Sequence, residues 1–204
     1  CTHAAPAAPT DVADTEFTIA VLPDTQNYLD YTHQKAEGFP IEASEMFLEQ
    51  MQYVADNLES AGGDIAFVSS LGDVWQHQTL AMDEAHKARG FKSVPNPVMD
   101  NFFAPTEKVK TVEMPKAHEG FSLIAGKTPF SVVPGNHDIP LHDPISRILH
   151  PWRNYRRVIS QDLEPEHFDD RMVVLGVNTV NRFAHQSGRF SRSALARIER
   201  AFDE

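Results

Sequence analysis

The sequence predicts an α/β fold, and three observations carry that prediction. Short apolar runs alternate with helical periodicity along the chain, the trace that strand–helix–strand units leave in a sequence. The first three runs each end in a polar or acidic cluster: Asp24-Thr25-Gln26, Gly72-Asp73 and Gly135-Asn136-His137-Asp138. The composition, 41% apolar and 23% charged over 204 residues, is that of a folded chain long enough to bury a core without staples.

Glu16 to Leu22 (EFTIAVL) reads as a buried strand closed by Pro23-Asp24. A polar, irregular stretch follows from Asn27 to Phe39. From Ile41 the apolar residues Phe47, Met51, Val54 and Leu58 recur at helical spacing, and Gly62-Gly63 stops that helix. Met46 joins Phe47 and Met51 as core at that spacing. Asp64 to Leu71 (DIAFVSSL) is the second strand. Four prolines between Trp75 and Gly126 (Pro95, Pro97, Pro105 and Pro115) forbid a long helix there, leaving short ones over Thr79–Ala88 and Lys116–Ile124. Pro129 to Val133 is the third strand and Arg171 to Asn178 (RMVVLGVN) a fourth. Leu195, Ile198 and Phe202 mark the packed face of a closing helix. The expected sheet has parallel neighbours, and in such sheets ligands sit beyond the carboxyl ends of the strands.

Composition excludes several function classes. A net charge of −11 argues against a nucleic-acid partner held by phosphate charge, so no nucleic-acid patch is expected. No apolar run reaches the roughly 18–20 residues of a membrane helix. A single cysteine excludes an internal disulfide. That cysteine is residue 1, followed by an Ala/Pro stretch from Ala4 to Thr10 that reads as a tether. Residues 1–15 are therefore expected to be a tether and 16–204 one domain. The end resembles that of a mature bacterial lipoprotein, which implies export to the periplasm or cell surface and membrane contact only through a lipid on Cys1.

The three strand-end clusters carry the chemistry. Asp24, Gln26, Asp73, Asn136, His137 and Asp138 offer carboxylate and amide oxygens and an imidazole. Oxygen donors suit Mg²⁺ or Mn²⁺, and imidazole extends the range to Fe and Zn. Paired ions bridged by a carboxylate activate water and clamp a phosphoryl group. Glycine before Asp73 and before Asn136 lets the backbone turn sharply, so that the next side chain enters the site. Metal-dependent hydrolysis is the reaction class these residues suggest.

The same ordered set resembles the calcineurin-like metallophosphoesterases, which run D-x-H, then G-D, then G-N-H-D/E, each after a strand. The resemblance covers about Glu16 to Phe202. It implies an αβ-sandwich, of which this chain would hold the first sheet and its flanking helices. It also implies two divalent ions (Mn, Mg, Fe, Zn or Ca) and hydrolysis of a phosphomonoester or phosphodiester by a metal-bound hydroxide. By that resemblance Asp24 would bind the first metal, Asp73 would bridge both and Asn136 would bind the second. His137 would stabilise the transition state or protonate the leaving oxygen, with Asp138 orienting its ring. His77, four residues beyond Asp73, matches a histidine that holds substrate phosphate in acid-sphingomyelinase-like members; a solvent-facing loop histidine is the simpler alternative. Trp75 reads as packing or a cleft wall.

Two departures qualify the resemblance. Gln26 stands where the family usually places a histidine ligand, as in a D-T-Q subgroup; its carbonyl is a harder, weaker donor that favours Mn²⁺, Mg²⁺ or Ca²⁺, or it merely bonds its own loop. The family's later histidine and G-H-x-H are absent, since His142, His150, His167 and His185 lie in other contexts. Three expectations stay open. Further chain completes the site, a partner chain completes it as half of a split enzyme, or the chain is a non-catalytic binding or structural lipoprotein. The stretch from Gln76 to Gly126 is equally open as substrate lid or partner surface.

Overall fold

The structure is a computed structural model, and it describes residues 16–26, 28–29, 43–75, 113–140, 144–184 and 187–203. The Cys1 tether, the expected helix over Thr79–Ala88, His77 and most of the stretch from Gln76 to Gly126 lie outside the described residues. So do His33, His86, His142 and His185.

The chain is mixed α/β. Its centre is a three-stranded parallel sheet, β1 (Thr18–Leu22), β2 (Ile65–Ser70) and β3 (Phe130–Val132), with β2 in the middle. The two crossovers are helical. Helix α1 (Ala43–Asp56) lies between β1 and β2, and α2 (Met114–Ser122) between β2 and β3. Parallel neighbours need such crossovers, because a two-residue turn cannot bring the chain back to the same end.

The sheet has two dissimilar faces. Leu22, Val68 and Val132 share one buried cluster with Phe47, Met51 and Val54 of α1 and Ala117 and Phe121 of α2. Phe121 stacks on Phe130 and meets Phe47 edge to face, both at 6.4 Å between centroids. The 3.6-residue spacing of Phe47, Met51 and Val54 is what turns one stripe of α1 to the sheet. Two short helices, α3 (Pro144–Leu149) and α4 (Arg153–Val158), follow β3. The second is anchored by fully buried Tyr155, whose hydroxyl donates to the Val132 carbonyl at 2.6 Å.

The fourth apolar run does not join this sheet. Only Val173–Leu175 is strand (β5), and it pairs antiparallel with Glu166–Phe168 (β4) as a separate hairpin. His167 of that hairpin packs on Phe67 of β2 at 5.1 Å, so the hairpin lies over part of the face opposite the α1–α2 layer, where Ile19 and Val21 stay exposed. The closing helix, α5 (Arg192–Asp203), forms as expected but packs on a different stripe. Ala194 is buried and Arg197 and Ile198 half-buried, whereas Leu195 and Phe202 are exposed. The Arg197 guanidinium pairs with Glu164 and Glu166, both at 2.8 Å, and donates to the Gly176 carbonyl. Those charges, not the leucine and phenylalanine, orient the helix.

Candidate functional site

The carboxyl ends of β1, β2 and β3 deliver three loops to one place. Asp24 follows β1 by two residues, Asp73 follows β2 by three, and residues 133–138 continue β3. The loops are stitched by side chain to backbone. Thr25 Oγ1 donates to the Val74 carbonyl at 3.2 Å, tying the first loop to the second. Asp73 Oδ1 accepts the His137 N–H at 2.7 Å, tying the second to the third. Asp138 accepts from Val74 N–H through Oδ1 and from Gly135 N–H through Oδ2, each at 2.8 Å.

Local sequence explains this closeness. Gly72 has φ +87°, and a Cβ there would collide with the backbone of Val133 and Gly135. A Cβ at Gly135 would in turn collide with the Asp73 carboxylate. Two glycines therefore let the second and third loops touch, one through its φ and both through the missing Cβ. Asp73 itself sits at φ +49°, a left-handed conformation that aspartate tolerates better than most residues. Backbone held in this way at the end of a strand aims one side chain, and it is a mark of functional loops.

Gln26 lies against Asp24. Its N–H donates to Asp24 Oδ1 at 2.9 Å and its Nε2 to Oδ2 at 2.7 Å. Its carbonyl oxygen, Oε1, is buried with no hydrogen-bond partner among the described residues. Loss of water raises the Asp24 carboxyl above its ordinary value; the Gln26 N–H opposes that rise and the charge of Asp73 adds to it. Two carboxylates that repel across a pair of loops, beside an unsatisfied amide oxygen, form a cradle that a cation would relieve.

The residue types at these strand ends are ones that suit an oxygen-preferring divalent cation. Asp24, Gln26, Asp73 and Asn136 supply two carboxylates and two amides, and every available donor atom among their carbonyl and carboxylate groups is oxygen. Among the described residues no three His, Cys, Asp or Glu side chains are grouped as a metal cluster. Asp24, Asp73, His137 and Asp138 are all described and do not form such a group.

The other expected site residues fall as follows. His137 is on the third loop, its backbone fixed by Asp73. Asp138, the residue expected behind the His137 ring, accepts from the backbone of Val74 and Gly135, which makes it the anchor of two loops. Trp75 is buried in the core, so it is packing. His150 and His118 are exposed, and His167 is the ring that packs on Phe67. Thr25 was not singled out from sequence; its role rests on a 49-residue separation that no local pattern reveals.

Comparison with protein-family models, curated proteins and solved structures found no match for this chain. Its functional reading therefore rests on its own residues.

Proposed function

We propose that the chain is a metal-dependent phosphoric ester hydrolase of the calcineurin-like kind. One observation carries this reading. Two carboxylates from different strand ends, Asp24 and Asp73, stand close enough for the charge of one to raise the pKa of the other, beside a loop of sequence Gly-Asn-His-Asp. In that reading Asp24, Gln26, Asp73 and Asn136 hold the divalent cation or cations. Bound there, the cation supplies Lewis acidity toward water and the phosphoryl oxygens.

The chain's own residues do the positioning. Asp73 binds the cation while its Oδ1 keeps the His137 backbone in place, so the imidazole is carried beside the metal ligands. Asp138 pins the third loop to the second and keeps Asn136 and His137 from drifting apart from Asp73. Gln26 holds the Asp24 carboxylate by two N–H bonds and leaves its own carbonyl for the cation. A fixed loop matters because displacing a reacting group by about 1 Å costs about a hundredfold in rate.

The test is Mn²⁺ binding by calorimetry, together with hydrolysis of bis-p-nitrophenyl phosphate and p-nitrophenyl phosphate. Wild type is expected to bind Mn²⁺ and cleave one of the esters. Asp73→Asn keeps an oxygen for the His137 N–H but loses the charge, so it is expected to fold and to lose at least about tenfold in both readouts. Full retention of both by the variant would remove Asp73 from the site.

A second reading has its own observation. Strand β1 is an edge of the described sheet, and its Ile19 and Val21 are exposed. An open edge beside exposed apolar side chains suits a partner chain that adds a strand, as a split enzyme or a binding protein requires. Mn²⁺ binding without hydrolysis would favour this reading.

A further inference from the structure

The strongest surface feature outside the site is formed by α3 and the turn at residues 182–183. Ile145, Ile148 and Leu149 lie at i, i+3 and i+4, so they share one face of α3. That face is largely exposed, Ile145 at 70%, Leu149 at 65% and Ile148 at 54%. Phe183, 72% exposed, extends the same patch. Arg147 Nε donates to the Arg182 carbonyl, and Arg182 reaches back to the Ile148 carbonyl at 3.4 Å while its guanidinium lies 4.8 Å from the Phe183 ring centroid. These bonds make α3 and the turn one unit.

The segment that carries α3 and α4 is basic in an acidic chain. Residues 144–160 hold four arginines and no carboxylate. Arg153 and Arg156 are exposed on α4, which starts beside the end of α3 through the Arg153 N–H to His150 carbonyl bond.

We infer that this patch docks on an anionic lipid surface. Four large apolar side chains project from a short helix and a turn, with arginine rooted beside them. That is the arrangement of interfacial segments, whose apolar residues enter the headgroup boundary while basic residues meet lipid phosphates. Charge complementarity decides the occupant. The surrounding positive charge is a local departure from a net −11 chain, and a neutral protein partner would gain nothing from it. The contact is independent of any lipid on Cys1 and of the proposed hydrolysis.

Cosedimentation of the 204-residue chain, carrying no lipid, with phosphatidylcholine vesicles tests this, with and without added phosphatidylglycerol. The chain is expected to pellet with the anionic vesicles, to stay free of the neutral ones and to be released by salt. Ile148→Glu/Leu149→Glu should weaken binding at least about tenfold, and Arg153→Glu about fivefold or more. All three positions are exposed, so circular dichroism should be unchanged. Failure to pellet with anionic vesicles overturns the inference, as does equal pelleting with neutral ones. Self-association by sedimentation velocity, abolished by the double variant without vesicle binding, assigns the patch to a second copy and overturns it too.

Discussion

Asp138 is buried among backbone N–H groups with no cation of the chain's own beside it in the described bonds. Loss of water pushes its carboxyl up to about 7; the Gly135 N–H opposes, Asp73 adds, and the Val74 and Trp75 N–H groups oppose further. An unfolded aspartate titrates near about 3.9, so the folded chain binds this proton more tightly than the unfolded one. The resulting stabilisation is fully present below about pH 4 and is lost as pH rises through about 7. Asp24 is raised as well and acts in the same sense. Glu59 and Asp169 are lowered, the first by Arg171 and the second by the Arg171 and Met172 N–H groups. Their stabilisation grows only as pH rises through the ordinary carboxylate range and is complete by about pH 5. In EDTA the chain should therefore melt at a lower temperature at pH 8 than at pH 5, and Asp138→Asn should flatten that difference. A melting temperature that climbs steadily from pH 5 to pH 8 would contradict the assignment. The aspartate itself was legible in sequence because it follows Gly-Asn-His. Its anchoring role was not, because the partner at Val74 is 64 residues away.

At the scale of elements, legibility followed the strength of the local pattern. Strands β1, β2 and β3 each came from an apolar run with a polar stop, and α1 from apolar residues at helical spacing. Strand β5 came from the fourth apolar run, but its antiparallel partner β4 did not, because Glu166-His167-Phe168 has one apolar residue in three. Helices α3 and α4 were missed because each is only six residues long, less than two turns in which a periodic stripe can show. The α1–α2 contact shows how tightly a correctly read pair fits. Gly120 of α2 lies against the Phe47 ring, where a Cβ would collide with the ring and approach Met51 Cγ at 3.2 Å. Alanine gains about 0.8–1 kcal/mol over glycine in a helix, but overpacking a filled core costs about 1–3 kcal/mol. Phe47 has no room to retreat, being buried and held edge to face by Phe121. The cost wins, so Gly120→Ala should lower stability by about 1 kcal/mol in urea unfolding with an unchanged m-value. A more stable variant would show that the helices part easily.

Over the whole molecule, two arginines tie the β4–β5 hairpin and α5 to the rest of the chain. Arg171 bridges Glu59 across 112 residues and lies 5.4 Å from the Phe17 ring centroid, fixing the turn of the hairpin. Arg197 does the larger share at the other end. From α5 it reaches Glu164, Glu166 and the Gly176 carbonyl, with its side chain 18% exposed. A surface ion pair contributes at most about 1 kcal/mol, but this guanidinium donates to Glu164 and to the Gly176 carbonyl away from bulk water, with Glu166 in ion-pair contact, and hydrogen bonds to charged groups contribute about 1.5–3 kcal/mol. Arg197→Met keeps the aliphatic stem and removes every donor, leaving two carboxylates facing each other. The variant should lose about 2–3 kcal/mol, and amide exchange should rise in residues 164–176 and 192–203 while α1 and β2 stay protected. Uniform acceleration across the chain would mean that hairpin, helix and sheet unfold as one unit. Protection unchanged everywhere would mean that the apolar contacts of Ala194 and Ile198 hold α5 unaided. The expected local loss follows from the packed stripe of α5, where the most connected side chain is an arginine that a count of apolar residues passes over.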